Sequence, residues 1–173
     1  EIEGSRRYFI EDAAYIVNAG CVVLIGENQI HKTASLGDTA SSRIVANFSR
    51  EYLGKITDIF PEVDFFSFLS EEHNHLLSNI TVKQQNHIHN LLQQLLALQE
   101  ETSPESDAMR KMLLATLLLE LKDLCRQQQE QGGENGRVSN HIVDQIQAYI
   151  AEHYAEKLTL TGIASQFYIS QIG

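Results

Sequence analysis

The sequence predicts an α+β fold in which antiparallel strands come first and helices follow. Residues 6–48 consist of short β-rich runs separated by turn residues. After Phe48 the spacing of apolar residues changes from the period of a strand to that of a helix. Residues 127–136 are polar and glycine-rich, which is typical of a flexible linker. The chain is therefore expected to hold one larger unit, a linker and the start of a second unit.

Five β-rich runs make up the first region. The turn Asn18-Ala19-Gly20 separates two of them, and glycine adopts positive φ without a steric penalty. The two flanking runs are therefore expected to pair as a hairpin. The five runs are Arg7–Ile10, Ala14–Val17, Cys21–Ile25, Ile30–Ala34 and Arg43–Phe48.

Helices are predicted after Phe48. Ser49 could cap a short helix, and two longer amphipathic helices between Thr81 and Arg126 should form a hairpin broken at Pro104. The second long helix is apolar on nearly all sides, so more than one side must be covered. A second subunit could supply that cover through a two-fold contact, or the helix could be enclosed within one chain. The residues predicted for a dimer contact are Leu114, Leu117, Leu118 and Leu121.

Composition argues against a nucleic-acid-binding surface for the chain as a whole. Its 173 residues include 13 Lys and Arg against 23 Asp and Glu, which gives a net charge of -10. A polyanion would therefore be repelled at long range. Cys21 and Cys125 are only two and far apart, which fits buried thiols in a reducing cytoplasm. The longest apolar run, Met112 to Leu119, is shorter than the roughly 20 residues of a membrane span, and a cytoplasmic location is expected.

The last region resembles the opening of the AraC/XylS helix-turn-helix domain. The matching residues are HIVDQIQAYI at 141–150 and LTLTGIASQFYIS at 158–170. The resemblance implies that Thr159 caps a short helix and Ser170 caps the recognition helix, with DNA-binding roles for Thr159, Ser170 and Gln171. Gly162 departs from the pattern, because glycine costs about 1 kcal/mol relative to alanine within a helix. Since the recognition helix would lie beyond Gly173, the fragment alone is not expected to read DNA.

The first region resembles the cupin-like effector domain of AraC-type regulators. The matching residues are YIVNAGCVVLI at 15–25, IHK at 30–32 and RIVANF at 43–48, although Cys21 stands where an acidic residue is common. The resemblance implies a cupin-like (jelly-roll) barrel portion, a helical dimerisation hairpin and a partial, all-α helix-turn-helix domain. The implied units are an effector-binding and dimerisation domain at 1–126 (strands 6–48, helices 49–126), a linker at 127–137 and the truncated DNA-binding domain at 138–173.

The function that follows from this resemblance is a ligand-responsive, DNA-binding transcriptional regulator. Its effector would be a sugar or another small metabolite, its partner a second copy of the chain, and its target promoter DNA for the intact protein. Polar and aromatic side chains in the strands could contact a hydroxylated ligand, although each could instead be structural. These candidates are Tyr8, Tyr15, His31, Arg43 and Asn47.

No metal, cofactor or catalytic residue is expected. The strand region offers only His31 as an imidazole ligand, whereas metal sites need clustered ligands. The pairs His73/His75 and His87/His89 are spaced i, i+2 and diverge by about 200° on a helix, so they are interpreted as solvated surface histidines. Two alternatives stay open, namely a small cupin-type metal enzyme (isomerase or oxygenase) with a helical appendix and a pure dimerisation module.

Overall fold

The chain combines two small antiparallel sheets with a helical hairpin and a further pair of helices. The computed structural model describes residues 1–11, 13–36, 40–71, 75–131, 142–154 and 158–167. The predicted α+β class is observed as antiparallel sheets with several helices, which is compatible with a cupin-like domain. The strands are β1 (Ser5–Ile10), β2 (Ala13–Asn18), β3 (Val22–Val23), β4 (His31–Ser35) and β5 (Leu76–Leu77). The helices are α1 (Gly54–Ile59), α2 (Val82–Ala97), α3 (Pro104–Glu130), α4 (Ile142–His153) and α5 (Leu160–Gln166), with 3-10 turns at Glu51–Leu53 and Ser67–Ser70.

β1 is the central strand of the larger sheet and pairs with β2 on one side and β4 on the other. Both pairs are antiparallel, and Tyr8 lies opposite Tyr15 in β2 and opposite Thr33 in β4. Glu11 turns the chain between β1 and β2 with a φ of 52°. Three of the five predicted runs thus correspond to strands of one sheet.

The hairpin predicted around Gly20 does not form, although the turn does. Gly20 has a φ of 84° and Cys21 N donates to Asn18 O at 3.2 Å, as a tight turn requires. However, β2 pairs with β1, whereas β3 after the turn pairs with β5, more than fifty residues later. A turn fixes the direction of the chain but not the partner of the next strand, so β5 was not foreseen.

The prediction that Arg43–Phe48 forms a strand is wrong. This run has no ladder partner, and the only bridge beside it joins Ser42 to Glu3 among the described residues. Val45 is 60% exposed, while Ile44 and Phe48 are half-buried. Alternating apolar residues suit a strand, but a strand also needs a neighbour for its backbone groups.

The two long helices predicted between Thr81 and Arg126 are observed as α2 and α3, whereas the predicted cap at Ser49 is wrong, because Arg50 precedes the 3-10 turn at Glu51–Leu53 and no side chain of the described residues caps it. Thr81 caps α2 in a capping box with Gln84, and Ser103 caps α3, in which Pro104 occupies the first turn. Gln84 Nε2 donates to Gln127 Oε1 at 3.3 Å, so the start of α2 lies beside the end of α3. The hairpin is therefore antiparallel.

α3 continues through Glu130 and so includes the first four residues of the segment predicted as a linker. Residues 132–141 lie outside the described part of the chain. Beyond them, α4 and α5 contact each other through the rings of Tyr149 and Phe167, whose centroids are 5.5 Å apart.

Two clusters of buried side chains form the core. One joins α2 and α3 to the segment around Leu53 and to Phe65, Phe66 and Phe68. The other lies on the larger sheet and includes Tyr8, Tyr15 and Leu76. Among the described residues, no helix combines the length and the apolar character that crossing a bilayer would need.

Candidate functional site

One face of the larger sheet gathers most of the residues predicted to bind a ligand. Side chains alternate along a strand, and residues directly opposite each other in neighbouring strands share a face. Tyr8 therefore shares its face with Tyr15 and Thr33, and the pair Ile10 and His31 lies on that face too. The register of the three strands brings these side chains onto one face, which the spacing within a single strand does not show.

Two arginines and three hydroxyl groups form a hydrogen-bonded group on this face, which we call the Tyr8 cluster (Arg6, Tyr8, Thr33, Ser41 and Arg43). Arg43 Nη1 donates to the Tyr8 hydroxyl at 3.1 Å and to Thr33 Oγ1 at 3.4 Å. Arg6 donates through Nη2 to Thr33 Oγ1 at 3.3 Å and through Nη1 to Ser41 Oγ at 2.9 Å. The cluster thus joins β1 and β4 to the segment after residue 40.

Sequence reasoning identified Tyr8 and Arg43 in this cluster but missed Arg6, Thr33 and Ser41. The alternation of side chains along a strand could have indicated Arg6, because Arg6 lies two residues before Tyr8 on the same face of β1. Thr33 could be assigned to the cluster only from the register of β4. Ser41 could be assigned only from the path of the loop that follows β4. Neither can be deduced from local spacing.

Tyr15 is buried and its hydroxyl lies 3.2 Å from His75 Nδ1. His75 is only 1% exposed, so the prediction that it is a solvated surface histidine is wrong; its neighbour His73 lies outside the described residues. Gln29 Oε1 accepts from Gly26 N, which leaves its amide nitrogen facing His75 Nε2 at 2.9 Å. His75 Nε2 therefore accepts, and Nδ1 carries the proton toward Tyr15. Tyr15 acts here as a link between the two sheets.

His31 and Asn47 do not join the Tyr8 cluster through contacts. His31 is exposed and its Nδ1 lies 3.1 Å from Gln29 O. Asn47 is exposed and lines a cavity of about 470 Å³ between residues 44–49 and the hairpin of α2 and α3. Of the five predicted ligand residues, only Tyr8 and Arg43 contact each other, and Tyr15, His31 and Asn47 each lie in different surroundings.

The cavity beside Asn47 has a size suited to a small molecule, but the Arg110 guanidinium in its wall already has structural partners. Arg110 Nη1 donates to Leu98 O and Glu101 O, both at 2.6 Å, and so ties the end of α2 to α3. The hydrogen bond that Arg110 Nε donates to the Tyr52 hydroxyl at 3.3 Å, together with the nearby Asp107 carboxylate, raises the pKa of Arg110. The remaining lining is mainly apolar, and its other polar side chains are Asn47, Ser49, Tyr52 and Gln99.

The four leucines predicted for a dimer contact lie in the core of this chain. Leu114, Leu117, Leu118 and Leu121 are each at most 6% exposed and pack in the helical core cluster. The apolar residues that α3 leaves exposed are Met109 (49%), Met112 (54%) and Leu119 (43%). The all-round apolar character of α3 thus divides into an inner face and an outer face.

Of the three residues assigned to DNA binding, only Thr159 lies within the described residues. Its hydroxyl accepts from Gly162 N at 3.0 Å and so caps α5, as the resemblance implied. Ser170 and Gln171 lie outside them.

The cysteines and the remaining histidines do not form a reactive or metal-binding group in the described part of the chain. Burial raises the pKa of the Cys125 thiol to about 12, whereas Cys21 is only half-buried. His87 Nε2 lies 3.5 Å from Glu120 Oε1 on the surface of the hairpin. No group of three or more His, Cys, Asp or Glu side chains with metal-binding geometry is found among the described residues.

The larger sheet, which carries the Tyr8 cluster, is followed along the chain by the helical hairpin of α2 and α3. Residues 2–118 match the family described as AraC-like ligand binding domain. The chain therefore belongs to this family, whose members are typically regulatory rather than catalytic. No curated protein and no solved structure shows significant similarity to the chain.

Proposed function

We propose that this chain is the effector-binding part of an AraC-type transcriptional regulator that responds to a small molecule. The observation that carries this proposal is the family match over residues 2–118, which covers both the sheet and the first half of α3. The helix pair α4 and α5 supports it, because the Thr159 cap stands where the resemblance requires one. The intact protein would bind promoter DNA through the domain that begins with this pair.

The effector would bind at the Tyr8 cluster. Hydroxyl and guanidinium groups there are held by hydrogen bonds in a defined arrangement, which suits recognition of a hydroxylated molecule such as a sugar. The cavity beside Asn47 is less suitable, since Arg110 already binds the end of α2. Asn47 and His31 would then serve structure rather than recognition.

A signal could pass from the cluster to the hairpin along residues 43–49. Arg43 begins this segment, and Phe48 and Ser49 border the cavity against α2 and α3. The effector would need to bind one arrangement of this segment more tightly than another, because a ligand without differential affinity shifts no equilibrium. Dimerisation through the outer face of α3 would carry that change to the DNA-binding domains.

A thermal-shift screen of the chain against sugars and small metabolites tests the proposal. A ligand at 100 times its Kd should stabilise the chain by about 2.7 kcal/mol and raise its Tm. The variants Tyr8→Phe and Thr33→Val should reduce that shift, and the matched variant Tyr154→Phe, at an 80% exposed position directly after α4, should not. A ligand whose shift is equal in all variants would contradict the assignment to the Tyr8 cluster.

A further inference from the structure

The two arginines of the Tyr8 cluster have no carboxylate partner in the described part of the chain. Arg50, Arg110 and Arg126 each lie within 4.0 Å of an Asp or Glu oxygen. Arg6 and Arg43 instead contact only hydroxyl groups there. This contrast stands out in a chain with ten more acidic than basic charges.

The two guanidinium groups also lie close to each other. Both donate to the same atom, Thr33 Oγ1, at 3.3 and 3.4 Å. Like charges at such proximity repel, and a negative charge between them would relieve the repulsion. Arg6 Nε is in addition buried without a hydrogen-bond partner among the residues that the structure describes. A buried donor of this kind lacks an acceptor that a ligand could supply.

The three hydroxyl groups of the cluster remain available to donate hydrogen bonds to a ligand. A hydroxyl has one proton to donate and two lone pairs that accept. Both lone pairs of Thr33 Oγ1 receive an arginine N–H, while the Tyr8 and Ser41 oxygens each accept one. Among the described residues these three O–H groups donate no hydrogen bond. The cluster therefore presents N–H and O–H donors around two positive charges.

We propose that Arg6 and Arg43 form a subsite for an oxyanion, so that the effector carries a carboxylate or a phosphate group. Charge-assisted bonds from guanidinium to such oxygens are among the strongest in proteins, and the planar fork of arginine matches their geometry. The inference rests on the proposed function only in calling the ligand an effector. The inference narrows the expected class of effector from sugars in general to sugar acids, sugar phosphates and comparable anions.

Isothermal titration of the chain with four probes tests the subsite. Glucuronate supplies a carboxylate, glucose 6-phosphate and inorganic phosphate supply phosphate, and glucose is the neutral control. We expect saturable binding of at least one anion, weaker at higher ionic strength, and none of comparable affinity for glucose. Comparison of glucuronate with the two phosphates identifies which oxyanion is preferred.

Three substitutions locate the binding. Arg43→Gln should raise the Kd at least about tenfold, and Arg43→Lys should recover only part of it, because lysine keeps the charge but loses the fork. Arg43 is exposed, so its replacement should leave the fold intact. Arg7→Gln is the matched control, since it makes the same change of charge on the opposite face of β1.

The outcomes separate this inference from the proposed function. Absence of saturable anion binding, an equal loss in Arg7→Gln, or an unchanged Kd in Arg43→Gln would overturn the oxyanion subsite. A neutral sugar that stabilises the chain through Tyr8 would still leave the regulator proposal standing. Conversely, anion binding that depends on Arg43, in a protein whose promoter never responds to that anion, would contradict the regulator and keep the subsite.

Discussion

Gln128 shows how one polar side chain joins the helical hairpin to the smaller sheet. It is 5% exposed, its Nε2 donates to Leu76 O at 3.0 Å, and its Oε1 accepts from Ser78 N at 3.3 Å. Buried amides persist in cores when their donors and acceptors are satisfied in this way. A glutamine inside a QQQEQ run is therefore part of the core, and only its contacts distinguish it from its neighbours.

Gln128→Leu should lower the free energy of unfolding by about 1–3 kcal/mol. The leucine fills similar space but leaves the Leu76 carbonyl and the Ser78 amide without their partner, and unpaired buried groups carry the full cost of desolvation. Urea denaturation followed by circular dichroism measures the change. The matched variant Gln129→Leu, at the exposed position that follows, should stay within about 0.5 kcal/mol of the parent. Equal effects would contradict the role assigned to Gln128.

The two cysteines should differ in reactivity. Burial raises the pKa of Cys125 to about 12, so almost no thiolate is present near pH 8, and the sulfur is also inaccessible. A Cys21→Ser variant, which keeps only Cys125, should therefore react with iodoacetamide slowly until denaturant is added. Cys125→Ser keeps the half-buried Cys21 and should react faster in the folded state. Fast alkylation of folded Cys21→Ser would mean that α3 does not pack as described.

At the scale of elements, the helices depend on local signals and the strands on distant ones. Thr81 Oγ1 accepts from Gln84 N at 3.3 Å, and Gln84 Oε1 accepts from Thr81 N at 2.8 Å. The sequence alone placed the start of α2 at this residue. No comparable local pattern predicts that β3 pairs with β5. None predicts that residues 43–48 form no strand.

Thr81→Ala should destabilise the chain by about 1 kcal/mol, because it leaves an amide in the first turn of α2 without its acceptor. Thermal unfolding should show a lower Tm. Thr81→Ser should retain most of the stability, since serine offers the same hydroxyl. Thr116→Ala, at an exposed position inside α3, is the control and should have little effect. A loss as large in Thr116→Ala would argue that the capping box is not the cause.

At the scale of the whole molecule, α3 presents two different faces. Its inner face packs in the core, and its outer face exposes Met109, Met112 and Leu119, whose spacing of three and seven places them on one side of the helix. A dimer through the hairpin, if it forms as proposed, must use this outer face. Two-fold symmetry would bring the same three side chains of each copy together.

Met112→Glu combined with Leu119→Glu should convert a dimer to a folded monomer. Both side chains are about half exposed in the single chain, so the change adds charge to the contact without opening the core. Sedimentation equilibrium measures the mass and circular dichroism the fold. Val82→Glu, at a 70% exposed apolar position on α2, controls for added charge. A parent chain that is monomeric, or a double variant that stays dimeric, would place any interface elsewhere.

The sequence by itself determined the order of strands and helices, the starts of α2 and α3, and the Thr159 cap of α5. These features depend on residues within a few positions of one another, where periodicity and capping act. The tertiary structure decided which strands pair, that His75 and Gln128 are buried, and that Arg6 and Arg43 meet at Thr33. Arg43 reaches Tyr8 across 35 residues and Tyr15 reaches His75 across 60. Such contacts follow from strand register and chain path, which no short pattern encodes.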